Sequence, residues 1–368
     1  MRVLNQVLAV TALNIRNLPL RVATSLVAVV GVAAVVLVFA AVMSMAKGFE
    51  RTMTLAGAVD SAIVIRAGST SEMASGLSSD QVQVIETAPG ILRDDKGPVV
   101  SPELFVIVDI ALKSTGTGAN VPFRGVGARA FDVRDATRLV EGRMFEPGRN
   151  ELIVGRAAQS EFAGLDLGAT IKFGRTEWQV VGVFEAGGGV AESEVWTDIR
   201  VLQGAYRRGN SFQTVRARLA GEDSLGELSD ALQNDPRIDV DVYTERAFYS
   251  TQAQGTATFI RVLGYPITFL MAVGAVFGAL NSMYSSVSTR GKEIATLRAL
   301  GFGPVSVLVS TIIESTLLAL VGGVIGGALA FLVFNGFTVS TLSGSSFSQV
   351  VFDFAVPPDL FVQGMTVA

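Results

Sequence analysis

Cysteine and histidine are both absent from this 368-residue sequence. The chain therefore has no disulfide framework, thiol nucleophile, histidine-based catalytic triad or ordinary zinc site. Only 17% of its residues are charged, and a net charge of −4 offers no basic stripe for nucleic acid. These absences exclude most hydrolytic, redox and nucleic-acid-binding functions, and we expect no cofactor.

Apolar residues make up 49% of the sequence and are concentrated in three runs, at 22–46, 262–289 and 304–338. Because about 20 apolar residues cross the hydrocarbon core of a bilayer, each run is long enough to span it. A cleaved signal peptide is the alternative for the first run, but its apolar region would be only about 7–15 residues long. We predict transmembrane helices at 22–46, 258–289 (with a polar stalk before it) and 304–338.

The first 21 residues have a different pattern. Leu4, Val7, Leu8 and Ile15 lie at helical spacing, and Pro19 ends or kinks the helix. This predicts an amphipathic helix within 1–21 that lies in the inner membrane interface. A disordered leader is the alternative.

Residues 47–257 are polar and glycine-rich. Candidate strands lie at 61–66, 99–110, 121–126, 151–154, 170–173, 177–184 and 212–219, and candidate helices at 79–87, 156–162, 198–207 and 224–233. Helices and strands alternate near both ends, whereas about 105–195 is mostly β, which predicts an α+β domain with a β-rich insertion. The acids Asp94, Asp95, Glu192 and Glu194 are interpreted as solvated surface charges.

The orientation follows from lysine and arginine in the short segments beside the runs. These residues are Arg2, Arg16, Arg21, Arg290, Lys292 and Arg298. Positively charged short loops remain in the cytoplasm, so the 47–257 domain must lie on the outer side. The expected fold class is membrane α-helical spans plus an α+β extracytoplasmic domain with a β-rich insertion.

The segment STRGKEIATLRALGFGP, residues 288–304, predicts a short amphipathic helix in the cytoplasmic loop. Gly301 can cap this helix in the left-handed conformation, and Pro304 can begin the third span. Such a helix offers a rigid contact surface to a partner protein. The alternative is a solvated loop whose charges only set the topology.

The third apolar run contains one acid, Glu314, and a group of four glycines. We favour a packing or coupling role for Glu314 over a proton relay, because no second acid accompanies it. Gly322, Gly323, Gly326 and Gly327 form overlapping small-xxx-small pairs that allow close helix approach. They form either a dimer seam or a contact within the chain, and the sequence does not decide between the two.

Two motifs resemble those of FtsX-like and MacB-like permeases of ABC transporters. The first motif comprises the second span, the R-x-K-E-I-x-x-L-R-A-L-G segment and the third span with its glutamate. The second motif is the 139–189 segment, which resembles the extracytoplasmic core domain of that family. The resemblance covers nearly the whole chain. It implies that 290–303 contains the coupling helix that docks on an ATPase. The implied contact residues are Arg290, Gly291, Lys292, Glu293, Ile294, Leu297, Arg298, Leu300 and Gly301.

Two departures from the family matter. No phosphate-binding loop is present, since Gly291-Lys292 is followed by glutamate and Ser286 occupies the place of its first glycine. We therefore expect the ATPase on a separate chain and a non-catalytic membrane subunit here. The family has four spans, and residues 339–368 are expected to form an outer loop and the start of a fourth.

The resemblance implies a multi-pass permease subunit in the bacterial inner membrane. It would transmit ATP-driven motion to its outer domain, for export or extraction of a substrate at the outer face. The implied partners are an ABC ATPase, a second permease copy or paralogue, an adaptor of the membrane-fusion type and the lipid bilayer. One alternative is an FtsX-like regulator that activates a cell-wall hydrolase without transport, and another is a membrane-anchored binding domain without an ATPase.

Overall fold

The computed structural model describes residues 2–17, 22–55, 57–221, 223–289, 291–344 and 346–367. The chain divides into two compact units. The helical unit comprises Met1–Lys47, Thr258–Phe337 and Phe354–Ala368, and the core domain comprises Gly48–Ala257 and Thr338–Asp353. The chain therefore contributes to the core domain twice, the second time after the third apolar run.

The helices, in chain order, are α1 (Arg2–Asn17), α2 (Val22–Leu55), α3 (Ser79–Thr87), α4 (Ala130–Val133), α5 (Arg156–Glu161), α6 (Ile199–Ala205), α7 (Ser224–Gln233), α8 (Glu245–Thr289), α9 (Gly291–Ala299), α10 (Pro304–Phe334) and α11 (Pro358–Val367). The strands are β1 (Ser61–Arg66), β2 (Arg93–Asp94), β3 (Gly97–Pro98), β4 (Val100–Ala111), β5 (Gly118–Val126), β6 (Thr137–Gly142), β7 (Glu151–Gly155), β8 (Thr170–Phe173), β9 (Thr176–Ala186), β10 (Val195–Asp198), β11 (Thr214–Arg218), β12 (Val240–Thr244), β13 (Thr338–Leu342) and β14 (Gln349–Asp353).

Three helices of the described chain are long and apolar enough to cross a membrane. Their apolar segments are Ser25–Leu55 of α2, Glu245–Asn281 of α8 and Pro304–Phe334 of α10. Pro304 occupies the first turn of α10, where its missing N–H has no helical partner to lose. The backbone hydrogen bonds of such helices are satisfied internally, as a bilayer requires.

Within the described ranges, ten strands of the core domain form one mixed sheet. Its order is β12-β1-β11-β4-β5-β10-β7-β9-β6, and β8 pairs with β9. The β5–β10 and β7–β9 pairs are parallel, whereas the other pairs are antiparallel. β4 belongs to the centre of this sheet, so its side chains on both faces are buried.

Two apolar cores lie on one face of the sheet, and a smaller apolar cluster with Ile153, Phe184 and Trp196 lies on the other face. Val64, Val100 and Val215 belong to a core completed by α3 and α7. Leu104 and Phe123 belong to a second core with Trp178 and other residues of β7, β9 and β10. Because successive strand residues point to opposite faces, the intervening positions of β4, β5 and β11 point to the other face.

The local sequence explains the helices beside these cores. Ser78 and Gln81 form a reciprocal capping box at the start of α3. Asp198 accepts hydrogen bonds from the first amides of α6. The predicted strands at 61–66 and 170–173 and the predicted helices at 79–87 and 224–233 agree with the observed elements.

The serine-rich segment that was expected to be an outer loop is instead a β-hairpin. β13 and β14 pair over five residues each, and Val350, Val351 and Phe352 are buried in the core domain. The side chain of Ser193 accepts a hydrogen bond from the amide of Val351 at 2.9 Å. Buried apolar residues therefore fix a segment whose composition indicated a loop.

Candidate functional site

The segment predicted to contact an ATPase forms the short helix α9. Gly301 adopts φ +88°, its N–H donates to the carbonyl of Arg298 at 3.1 Å, and the N–H of Phe302 donates to the carbonyl of Leu297 at 3.1 Å. This pair of bonds is a Schellman cap, which fixes the end of the helix. Arg290 and the side chains of Lys292, Glu293 and Ile294 lie outside the described residues.

The last turn of α9 presents an apolar and a basic group to its surroundings. Leu300 is 71% exposed, Arg298 is exposed and Leu297 is half-buried. The cation also interacts favourably with the negative end of the helix dipole. Leucine beside arginine on a short, capped helix suits contact with another protein, because arginine is enriched at such interfaces.

The N-terminal helix holds the turn between α9 and α10. The amide of Gln6 donates to the carbonyl of Gly301 at 3.2 Å. Its carbonyl oxygen accepts from the Ser306 hydroxyl at 3.2 Å and from the Gly303 N–H at 3.4 Å. α1 was predicted as a helix of the membrane interface, and this contact with the end of α9 was not foreseen.

A buried polar stripe on α10 continues from this contact. Ser306, Ser310 and Glu314 are four residues apart and therefore share one face of the helix. The Asn14 side chain donates to the Ser310 hydroxyl at 2.9 Å, and Glu314 is only 8% exposed. This setting is compatible with packing or coupling for Glu314, and either role stays a prediction.

The four glycines of α10 are buried within the helical unit. A Cβ atom on Gly322 would lie 2.7 Å from the carbonyl oxygen of Val29 in α2, and one on Gly327 would lie 2.6 Å from the ring of a phenylalanine in α11. Gly323 and Gly326 lie beside them, so the described contacts are within the chain. A dimer seam stays a prediction.

The core domain contains a group of buried charges on the face of the sheet opposite the two apolar cores. We call it the charge cluster. Its members are Glu72, Glu103, Arg124, Arg134, Glu194, Arg216 and Glu245. The prediction that Glu194 is a solvated surface charge is wrong, because its carboxylate is buried between Arg124 and the indole N–H of Trp196, at 2.7 and 2.6 Å.

Arg124 of β5 is the most extensively bonded member of the charge cluster. Its guanidinium donates two hydrogen bonds to Glu194, two to Glu72 and one to Glu103, at 2.7–3.0 Å. The paired bonds have the fork geometry in which guanidinium recognises carboxylate. Arg124 thereby joins β5 and β4 to the segment before β10 and to a short 3₁₀ turn at 72–74.

Arg216 of β11, which lies on the other side of β4 from β5, performs a similar role. It donates to Glu103 at 3.1 Å and to Glu72 at 3.0 Å. It also donates to the carboxylate of Glu245 and, at 2.6 Å, to the hydroxyl of Tyr249. The last two residues belong to the first two turns of α8, so one arginine links that helix to the sheet.

The electrostatics of the charge cluster depend on mutual pairing. Burial by itself would raise the pKa of Glu72, but Arg124 and Arg216 outweigh it and lower that pKa to about 2. Burial disfavours the charge on Arg124, but Glu194 and Glu72 hold its pKa well above the ordinary value. Glu72 and Arg124 therefore remain ionised together, and removing one member of the cluster leaves its partners buried without compensation.

A cavity of about 180 Å³ lies against the charge cluster. Its lining includes Arg134, Glu194, Arg216 and Glu245 of the cluster together with small apolar residues such as Ala186. Arg134 also lies over the ring of Trp196, 4.8 Å from its centre. The described residues contain no group of three acids, histidines or cysteines able to hold a metal ion.

Comparison with known proteins now identifies the chain's relatives. The MacB-like periplasmic core domain family matches residues 22–235, and the FtsX-like permease C-terminal family matches residues 266–368. The chain belongs to the FtsX-like and MacB-like permease family. Members of this family are membrane permeases with a periplasmic domain.

Two relatives illustrate the extent of the similarity. The macrolide export ATP-binding/permease protein MacB of Vibrio parahaemolyticus is 25% identical over 290 residues, covering 74% of this chain and 42% of that protein. The protein of the same name (MacB 1/2) from Paracoccus denitrificans is 26% identical over 331 residues, covering 85% and 48%. The permease described here thus spans less than half the length of either relative.

Two solved structures align with about half of the chain. The periplasmic region of MacB from Actinobacillus actinomycetemcomitans aligns with a TM-score of 0.40 and 13% identity, over 53% of this chain and 94% of that one. The extracellular domain of the noncanonic ABC-type transporter YknZ aligns with a TM-score of 0.38 and 14% identity, over 50% and 100%.

The permease therefore has two groups of candidate functional residues. The α9 group was predicted from its motif, whereas the charge cluster was not. Arg124 is the single charge of β5, and this interruption is the sequence signal that could have identified it. β11 gives no such signal, because it contains both Arg216 and Arg218.

Proposed function

We propose that this permease is the membrane subunit of an ABC system that works by transmitting motion. A separate ATPase subunit would dock on α9, and ATP-driven movement of α9 would be passed to the core domain. The movement would serve the export or extraction of a substrate at the outer face of a bacterial inner membrane. The relatives named for macrolide export support this class of function.

The observation that carries the proposal is the exposed, capped helix α9. Its last turn presents Arg298 and Leu300, and its end is fixed both by the Schellman cap and by Gln6 of α1. A rigid helix of this kind can convert a push by a partner into movement of the adjoining α10. A flexible loop would change its own conformation when the partner moved and would not displace α10, because a loop has many conformations of similar energy.

Two helices provide the route from the membrane to the core domain. α2 runs without a break from Val22 to Leu55, and α8 from Glu245 to Thr289, so each contributes residues to both units. An ATPase can shift the position of these helices only if it binds one arrangement more tightly than the other. The proposal therefore requires tighter α9 binding in one nucleotide state.

Co-purification with an ATPase tests this proposal. We expect the double variant Leu297→Asp and Arg298→Glu to lose about tenfold or more in ATPase binding, because it places an acid at the apolar contact and reverses the charge. The matched control is Leu167→Asp with Arg175→Glu, which makes the same changes at exposed positions of the core domain. Unchanged ATPase binding and ATP-dependent activity in the first variant would contradict the assignment of α9.

The genes beside this one distinguish export from regulation. A neighbouring adaptor of the membrane-fusion type would support export, and a neighbouring peptidoglycan hydrolase would support the FtsX-like regulatory alternative. Fold similarity alone does not choose between them.

A further inference from the structure

The first turns of α8 are attached to the core domain by charge as well as by apolar packing. Glu245, Tyr249, Ala253 and Ala257 are spaced four residues apart and form one buried stripe. The two alanines at the far end of this stripe are fully buried. The near end consists of a carboxylate and a phenol, and both accept hydrogen bonds from Arg216. We call Arg216, Glu245 and Tyr249 the α8 anchor.

The strand side of the α8 anchor is held rigidly. Arg216 is 1% exposed, and its neighbours Val215 and Ala217 are fully buried in the apolar core on the opposite face. Its guanidinium is also bonded to Glu103 and Glu72. A shift of this arginine would therefore disturb both the core and the charge cluster, so α8 is the movable partner.

The helix side of the α8 anchor has room beside it. Glu245 and Tyr249 line the cavity of about 180 Å³ described above. Residues of a 3₁₀ turn at 190–193, including Ala191, form part of its wall. The first turn of α8 therefore has a cavity beside it, whereas most protein interiors contain few voids larger than a water molecule.

The end of α2 meets α8 at the same place. A Cβ atom on Gly57 would lie 2.6 Å from the backbone nitrogen of Arg246, so only glycine allows this approach. The Arg246 side chain also donates to the Gly57 carbonyl at 3.3 Å. The segment leaving α2 and the segment entering α8 are therefore joined within one residue of Glu245.

We propose that the α8 anchor is the joint through which movement of α8 reaches the core domain. While Arg216 bonds Glu245 and Tyr249, the first turns of α8 move together with β11, β4 and the charge cluster. When these bonds are removed, the first turns detach and the sheet stays folded. The attachment is independent of the proposed function, whereas its use in transmitting ATP-driven motion rests on that function.

Hydrogen–deuterium exchange of the full-length chain in lipid nanodiscs tests the attachment. Glu245→Gln keeps the size of the side chain but removes its charge. We expect amides 249–257 to exchange about tenfold faster or more, while β4 and β5 keep their protection, because local opening exposes only the detached turns. Glu227→Gln is the matched control, since it neutralises an exposed acid in the first turn of α7; we expect no change at either place.

A second variant covers the case in which Glu245→Gln does not fold. Tyr249→Phe removes only the hydroxyl that accepts from Arg216, and we expect a smaller acceleration, about two- to fivefold, at the same amides. Unchanged exchange at 249–257 in both variants would overturn the proposal. Equal loss of protection across β4, β5 and α8 would also overturn it, because the anchor would then be a general determinant of folding.

The transmission step has its own readout. The chain is isolated with its co-purifying ATPase, and exchange in the core domain is compared between Mg²⁺–ATP and Mg²⁺–ADP. We expect a nucleotide-dependent difference in the wild type that disappears in Glu245→Gln while ATPase binding is retained. A variant that keeps the difference would refute transmission through the anchor. If the wild type shows no difference, the proposed function fails while the attachment is still decided by the first experiment.

Discussion

Replacing Arg124 by methionine should destabilise the core domain strongly. The variant keeps an unbranched side chain in place of the arginine stem but removes five hydrogen bonds to three buried carboxylates. Glu194 would keep the indole of Trp196, and Glu72 would keep Arg216. The charge cluster would then contain four carboxylates and two guanidiniums, so its excess of buried negative charge would increase.

The expected magnitude follows from the cost of leaving a buried charge without its partner. Breaking one buried ion pair by removing one partner costs about 3–5 kcal/mol. For a domain of this size, about 1 kcal/mol lowers the unfolding midpoint by about 2–4 °C. We therefore expect the Arg124→Met midpoint to fall by about 6–20 °C.

Tryptophan fluorescence provides a selective assay for this change. The chain has two tryptophans, Trp178 and Trp196, and both are fully buried in the core domain. Thermal unfolding followed by their emission thus reports on the core domain and not on the apolar helices. The full-length protein in nanodiscs is the appropriate sample, because the hairpin at 338–353 completes this domain.

The matched control is Arg138→Met on β6. Its side chain is 75% exposed and pairs with Glu185 at the surface. Such pairs contribute about 0–1 kcal/mol, so we expect a shift of no more than about 4 °C. If Arg124→Met shifts the midpoint no more than Arg138→Met does, the charge cluster does not support the core domain and our reasoning is refuted.

Two further predictions concern acid and the helical unit. The pKa of Glu72 is lowered from its ordinary 4.5 to about 2, so its stabilising effect is complete above pH 4.5 and is lost as pH falls toward 2. A pKa shift of this size corresponds to about 3 kcal/mol of stability. The unfolding midpoint followed by tryptophan emission should therefore fall as the pH decreases through this range, and it should fall less steeply in Arg124→Met. Equal slopes in the wild type and the variant would contradict the pairing of Glu72 with Arg124. Separately, Gly322→Leu should lower the temperature at which the detergent-solubilised protein aggregates, because its Cβ would meet the Val29 carbonyl at 2.7 Å. Gly278→Leu, at an open position of α8, is its control, and equal effects of the two would contradict the packing argument.

Elements with strong local signals could be predicted from the sequence. The 61–66 segment is a run of apolar residues bounded by polar ones, and it forms β1. Ser78 and Gln81 stand at capping-box spacing before α3. Gly301 follows the last turn of α9 and has the positive φ that the cap requires. In each case the physical cause lies within a few residues.

The hairpin at 338–353 could not be predicted because its local and tertiary signals conflict. Its connecting loop at 343–348 is longer than the two-residue turns that give the clearest hairpin signal, and it is rich in serine. Burial of Val351 and Phe352 against distant parts of the core domain decides the structure. Tertiary packing of this kind leaves no trace in the local sequence.

The charge cluster escaped prediction for a related reason. Arg216 alternates with Val215 and Ala217, and a period of two normally places the polar residue in water. Glu245, which begins α8 almost thirty residues later in the chain, covers that face instead. The same applies to Glu194, which lies among polar residues in the sequence but between Arg124 and Trp196 in the fold.

The chemistry of the α8 anchor suits the transmission of a displacement. An apolar contact of the same shape would avoid the desolvation of buried charges and would often be at least as stable. Apolar attraction, however, is non-directional and changes little when two surfaces slide past each other. The bonds from Arg216 to Glu245 and Tyr249 weaken steeply when distance or angle departs from the optimum. A helix held by such bonds must carry its strand with it or break the contact, and this property is what a joint between a moving helix and a rigid sheet requires.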